Sequence, residues 1–383
     1  MAEPRRLGRR HLLAGGAGAG IGAGVGFALG HNDSAPTHRV ATEPPAEERV
    51  AVHGATQAGV DRPLTPATQL SFQVWHTSGA LEAATWARLL GTLGERLTTL
   101  VAASPTAARL SILVGVGPRA LASAGLDPAL ASLPTFRGSA ELPQAKRTAD
   151  LVLAAAADLP EAANTAMDAL RPLLTEHGLE RSWSQLAFRA RGTGMVTHNP
   201  LGFHDGIVQP EKRNGIPERV FLSSGKLGGG TIGVVRRFEI DVPSFEALPL
   251  AEQEAVFGRT KATGAPLSGG SIATDVNLTA KTPQGEYLVP SGSHVRAAHP
   301  SFTASPVMLR RSYGFRTATD GPQDRAGLLF WSFQDDVATF ARTQERMDRE
   351  DRLMEFARPS AEAAFVVLPG FTRGRPLGTA LFA

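Results

Sequence analysis

Three stretches carry side chains that can do chemistry. In Asn199-Pro200-Leu201-Gly202-Phe203-His204-Asp205-Gly206-Ile207-Val208-Gln209-Pro210, one acid stands among glycines with prolines at both ends. Such a backbone turns tightly, reaches positive φ at glycine and holds the Asp205 carboxylate in a fixed place. Further along lie Ser293-His294-Val295-Arg296-Ala297-Ala298-His299-Pro300 and Met308-Leu309-Arg310-Arg311-Ser312-Tyr313. A carboxylate can carry a proton, an imidazole can ligate a metal, and a guanidinium can stabilise developing negative charge. Arg310 and Arg311 are adjacent on a predicted strand, so they point to opposite faces and only one can enter a pocket. Each motif alone also fits an ordinary reading: a solvated Asp-Gly turn, a loop histidine, a pair of surface charges.

The elements that must position these groups begin near residue 67. Leu70, Phe72 and Val74 alternate with Ser71, Gln73 and Trp75 as in a half-buried strand. Trp86, Leu89, Leu90, Leu93 and Leu97 then share one face of a helix from about Ala80 to Val101. Strands at Arg109–Val116 and Ala149–Ala156, a helix over Glu161–Leu174 and a strand at Trp183–Ala190 complete the order βαββαβ of a ferredoxin-like sheet. The second half repeats it. Strands are predicted at Gly229–Val242, Val307–Phe315, Gly327–Gln334 and Ala363–Leu368, with helices at Leu250–Gly258 and Val337–Met347. The expected class is α+β, with two ferredoxin-like domains at 63–191 and 192–383. The long insertions around Lys261–Val289 and His294 are where function is grafted.

Composition narrows the chemistry. With 42% hydrophobic and 20% charged residues in 383, the chain reads as a globular protein with room for two domains. Four arginines against one glutamate in residues 1–30 account for the whole net charge of +3. The remainder is neutral and no nucleic-acid partner is expected. The absence of cysteine excludes disulfides, iron–sulfur clusters, thiolate-ligated haem and cysteine zinc sites. Gly8-Arg9-Arg10-His11-Leu12-Leu13 and the Gly/Ala-rich run to Leu29 resemble a twin-arginine export signal, with an uncleaved membrane anchor as the alternative. That signal implies the twin-arginine translocase as partner and a periplasmic or extracellular location, membrane-associated if the leader is retained. Residues 31–62, rich in Pro, Ala, Glu and Thr, read as a flexible linker.

A glycine-framed acid, a later histidine and then an arginine resemble the dye-decolourising peroxidases, a haem family of the dimeric α+β barrel type. Gly229-Gly230-Thr231-Ile232-Gly233, Phe257-Gly258-Arg259-Thr260-Lys261, Gly327-Leu328-Leu329-Phe330-Trp331, Phe340 with Gln344, Asp351-Arg352-Leu353 and Leu368-Pro369-Gly370 match its pattern in order. Residues 185–370 carry the resemblance well, and 65–184 only by sheet pattern. It is greatest to the bacterial twin-arginine-exported branch, whose members are described as peroxidases and as deferrochelatases.

The resemblance implies one haem b per chain, hydrogen peroxide as oxidant and a dye or other small reductant, with a homodimer as the assembly. It implies His294 as iron ligand with Asp351 accepting its other N–H, and Asp205 and Arg310 as the catalytic acid–base and charge stabiliser. Gly206, Ile207, Val208, His299, Pro300, Ser301, Arg310 and Phe330 are the matched cofactor-binding positions, with Leu328 beside Phe330 on the apolar wall. Arg311 is left as a surface charge. Two departures stand out. Ser301 replaces an arginine that can pair with a haem propionate, so Arg296 or Arg259 must supply that charge if anything does. Ile207 and Val208 stand where threonine and asparagine are more usual.

Of ten histidines, His11, His31, His38 and His53 fall in the leader or linker. His177 reads as a helix cap, His76 as a structural or surface residue, and His198 and His204 receive no role. Besides peroxide reduction, two readings remain: a deferrochelatase or iron-release protein with incidental peroxidase activity, and a haem-free binding module. Asp205 and Arg310 separate the first two, because peroxide cleavage needs them and haem binding alone does not.

Overall fold

The computed structural model describes residues 49–192, 194–317 and 325–382. The leader and most of the linker lie outside the described residues. In the first half, strand β1 (Gln69–Thr77) leads to helix α1 (Ala83–Ala103). β2 (Ser111–Val116), β3 (Leu151–Ala157), α2 (Pro160–Glu176) and β4 (Leu179–Phe188) follow. A short hairpin, β5 (Thr197–His198) and β6 (His204–Asp205), opens the second half, and β7 (Thr231–Ile240) and α3 (Leu250–Phe257) come next. The elements that frame the site follow: α4 (His294–Ala297), α5 (Pro300–Thr303), β8 (Leu309–Arg310), β9 (Tyr313–Thr317), β10 (Arg325–Gln334), α6 (Val337–Glu350) and β11 (Ala357–Val367).

Leu70, Phe72 and Val74 are buried, but so are Ser71, Gln73 and Trp75, so β1 is not the half-buried strand the alternation predicts. Its second face is covered too, with Trp75 packed in the same core as α1, which buries Trp86, Leu89, Leu90, Leu93 and Leu97. The strand expected over 307–315 is broken. Residues 311–312 separate β8 from β9, and both pieces pair with the same strand, β10.

The two halves share one sheet. The first contributes neighbours in the order β4-β1-β3-β2 and the second β9-β10-β7-β11. They join where β9 meets β4 and β11 meets β2, which closes a barrel. Phe72, Trp183, Tyr313, Phe315, Trp331, Phe333 and Phe365 fill its interior. Phe365 fits because its neighbours on β2 and β7 are glycines: a Cβ at Gly115 or Gly233 would come within 2.3 or 2.4 Å of the ring. Gly233→Ala is therefore expected to cost about 1–3 kcal/mol by overpacking, seen as an earlier denaturation midpoint at unchanged slope.

The barrel seam corrects the linker reading. The β2–β11 ladder has only two residue pairs, and the Gln57 side chain extends it. Its Nε2 donates to Val114 O (2.8 Å) and Leu368 O (2.9 Å), and its Oε1 accepts from Val114 N (2.9 Å). Val60 is fully buried in the barrel interior. Residues 49–62 are therefore part of the packed fold, because one amide side chain satisfies backbone groups that the short ladder leaves over.

Candidate active site

On the outer face of the second-half sheet, period-two alternation along β10 turns Leu329, Trp331 and Phe333 into the barrel and leaves Leu328 and Phe330 facing outward. Over them lies a cavity bounded by the β6 loop, α4 and α6.

Asp205 is placed by the turn before it. Asn199 Oδ1 accepts from Leu201 N (3.0 Å) and Phe203 N (3.1 Å), and Gly202 takes φ +81°. Phe203 stacks on Phe257 at 3.8 Å between centroids, which ties the hairpin to α3. Gly206 also sits at φ +81°, and its N–H donates to Asp205 Oδ1 (2.6 Å). A β-branched residue in that conformation would be strained, so the glycine after the acid is a geometric need. Gln209 Nε2 braces the loop through Gly206 O (3.0 Å), a bond supplied by this chain where Ile207 and Val208 offer none from their side chains.

Arg310, on β8, approaches Asp205 with Nη2 at 4.0 Å from Oδ1; both side chains keep about a quarter of their surface, and both line the cavity. Arg311 points the other way, as alternation requires, but it is not a surface charge. It is buried inside the barrel, donates to Val60 O and Pro63 O at 2.8 Å, and is pulled down to about 10 by burial.

His294 opens α4. Its Nδ1 lies 2.7 Å from Asp351 Oδ2, while Asp351 Oδ1 accepts from Leu353 N (2.9 Å). Asp351 thus caps the turn after α6 and orients the imidazole together. The contact assigns the ring proton to Nδ1 and leaves Nε2 as the free lone pair. Burial disfavours the imidazolium, but the Asp351 carboxylate outweighs it and holds His294 above the usual histidine pKa. The side chain is 34% accessible, and that surface faces the cavity.

Gly206, Ile207, Val208, His299, Pro300, Leu328 and Phe330 join Asp205, His294 and Arg310 in the lining. Asp351 stands behind His294 instead. Ser301 does not line the cavity; it is exposed on α5, where its N–H donates to His299 Nδ1 (3.2 Å). Arg296 is also outside: both Nη atoms donate to Leu278 O, and its guanidinium lies over Tyr287 and Phe302. Arg259, Phe257, Met308 and Met347 line the wall. The last three have no distinctive sequence signal, since apolar residues at such positions read as ordinary core. The cavity volume is ≈ 230 Å³, which at about 10–15 Å³ each accommodates roughly 15–23 waters. An open cleft of ≈ 1450 Å³ runs alongside and shares Asn199, Pro200, Ile240, Met354 and Ala357, but Asp205, His294 and Arg310 do not line it.

Residues 197–372 match the family model for the Dyp-type peroxidase, C-terminal. A dye-decolorizing peroxidase of Thermobifida fusca (strain YX) is 31% identical over 291 residues, covering 71% of this chain and 67% of that protein. The chain belongs to the dye-decolourising peroxidase family. The DyP-type peroxidase from Cellulomonas bogoriensis superposes with a TM-score of 0.81 at 29% identity, over 89% of this chain and 99% of that one. The oxyferrous/water mixed complex of DtpA from Streptomyces lividans gives 0.80 at 26% identity, over 89% and 100%. A deferrochelatase of Yersinia pseudotuberculosis is 35% identical over 224 residues, and the match spans 51% of its length.

Dye-decolourising peroxidases are haem proteins, and the donor set here fits one. A single imidazole with a free Nε2 opens into a mostly apolar slot, and the carboxylate–guanidinium pair lines the same space. In this member of the family the Asp351 contact is directly testable. Asp351→Asn keeps an acceptor for Leu353 N but removes the charge facing His294, and haem retention is expected to weaken about 10–100-fold, measured by transfer to apomyoglobin.

Proposed function

We propose that this family member holds haem b in the second-half cavity through His294, and that it reduces hydrogen peroxide while oxidising dyes or other small aromatic reductants. One observation carries the reading: His294, oriented by Asp351, opens into the same cavity as the Asp205–Arg310 pair. Gly206, Ile207, Val208, His299, Pro300 and Phe330 are its further contacts, and the two halves are ferredoxin-like repeats. Bound there, the iron porphyrin supplies the electrons that reduce peroxide and takes them back from the reductant.

The chain's own residues manage protons and charge. Asp205 Oδ1 is occupied by Gly206 N–H, so Oδ2 is free to accept a proton from one peroxide oxygen and deliver it to the other, which leaves as water. Arg310 faces that carboxylate without a tight ion pair, so its guanidinium is available to the negative charge that develops as the O–O bond breaks. Phe257, Leu328, Phe330 and Met308 keep the wall apolar, which strengthens both interactions. Haem storage or iron release would need neither Asp205 nor Arg310, so the pair favours peroxide reduction over the deferrochelatase reading. The haem-loaded full chain should bleach an anthraquinone dye only when peroxide is added. Bleaching at equal rate without peroxide, or none with it, would reject the reading.

A further inference from the structure

The haem reading leaves one buried charge unexplained. Arg259 follows α3 directly after Gly258, which ends that helix at φ +84°. It is 6% exposed and lines the cavity. Nη1 donates to Gly264 O (2.7 Å) and Ile272 O (3.4 Å), and these are its hydrogen bonds among the described residues. No carboxylate lies within ion-pair distance of it among the described residues. Burial pulls its pKa below the usual arginine value, and the exposed Asp275 offsets this only in part.

A guanidinium has five N–H donors in a planar fork that matches a carboxylate, and two carbonyl contacts through one nitrogen leave most of that fork unused. Taking a cation out of water without a counter-ion is costly. A desolvated, underused guanidinium on a cavity wall is what an anionic ligand would repay. His299 lines the same cavity. Its Nδ1 accepts from Ser301 N, which places the ring proton on Nε2 as a neutral donor. Arg310, the other arginine of the lining, and Arg296, the other candidate from the sequence, are committed elsewhere. Arg296 is spent on Leu278 O between two rings, and Arg310 faces Asp205.

We infer that Arg259 is the carboxylate-binding residue of the cavity and that it orients the bound tetrapyrrole, with the propionate edge toward Arg259 and His299. The inference rests on the haem reading. It accounts for Ser301: this chain carries the anchoring charge at the end of α3, not on α5.

The test compares haem with its dimethyl ester, which keeps the ring and iron but lacks both carboxylates. The full chain, expressed without haem supply, is titrated with each and followed by growth of the Soret band. The wild type should bind haem more tightly than the ester. Arg259→Gln, which keeps a donor for Gly264 O, should lose about 10–100-fold in haem affinity and little in ester affinity, with Arg259→Lys in between. Equal losses for both ligands would make Arg259 only a brace for the 259–272 loop and overturn the inference. If Arg259→Gln does not fold, the wild type decides: equal affinity for haem and ester overturns it, and a preference for haem that shrinks with added salt supports it. Binding of neither ligand by the wild type would instead remove the haem reading itself.

Discussion

His294→Ala is expected to lose haem affinity by about 100-fold or more, because removal of a partner behind a ligand already costs about 10–100-fold and this change removes the ligand. The fold should survive. His294 begins a four-residue helix at a cavity wall, and Ser293 keeps its own bond to Pro290 O. The deletion leaves an imidazole-shaped space next to Asp351, whose Oδ2 then lacks its partner. Added imidazole should therefore restore part of the Soret band, and restore less in the His294→Ala, Asp351→Asn double variant. A Soret titration of the single variant that matches wild type would remove His294 as the iron ligand.

The second large effect is on peroxide. Asp205→Asn keeps the shape of the side chain and an acceptor for Gly206 N but cannot take a proton, so kcat/KM for peroxide should fall about 10²–10⁴-fold. Arg310→Leu should cost about 10²–10³-fold through lost charge stabilisation. Haem affinity should change far less in either variant, because neither residue is the proposed ligand. The two side chains face each other at 4.0 Å, so the double variant should lose less than the product of the single losses. Unchanged peroxide kinetics in Asp205→Asn would take that residue out of the mechanism.

Much of this was legible in the sequence where local rules act. Positive φ at Gly202 and Gly206 followed from glycines flanking an acid, and the opposed directions of Arg310 and Arg311 from strand alternation. The wall formed by Leu328 and Phe330 follows from the same period of two. Non-local pairing was not legible. Strands β4 and β9, like β2 and β11, are far apart in the chain, and no pattern within either half announces that the halves close one barrel. Arg311 shows the consequence: a charge opposite the pocket reads as a surface residue until the far side of the strand is known to be a closed interior with the Val60 and Pro63 carbonyls waiting. Gln57 was missed for a related reason, since its partners Val114 and Leu368 belong to strand ends on opposite sides of a seam. Composition showed a polar, proline-containing segment and could not show that one amide would be built into a ladder. For Arg259 the chain order offered a choice with Arg296, and only burial separates the residue spent on Leu278 O from the one left facing the cavity.

The central claim is that an imidazole and a carboxylate–guanidinium pair serve one iron porphyrin. The most direct measurement is the absorption spectrum of the haem-reconstituted full chain, mixed rapidly with one equivalent of hydrogen peroxide, for wild type, His294→Ala and Asp205→Asn. The account predicts a Soret band in wild type that changes on mixing, a band in Asp205→Asn that changes far more slowly, and little or no band in His294→Ala. A wild-type band that peroxide leaves untouched, or three spectra that behave alike, would contradict it.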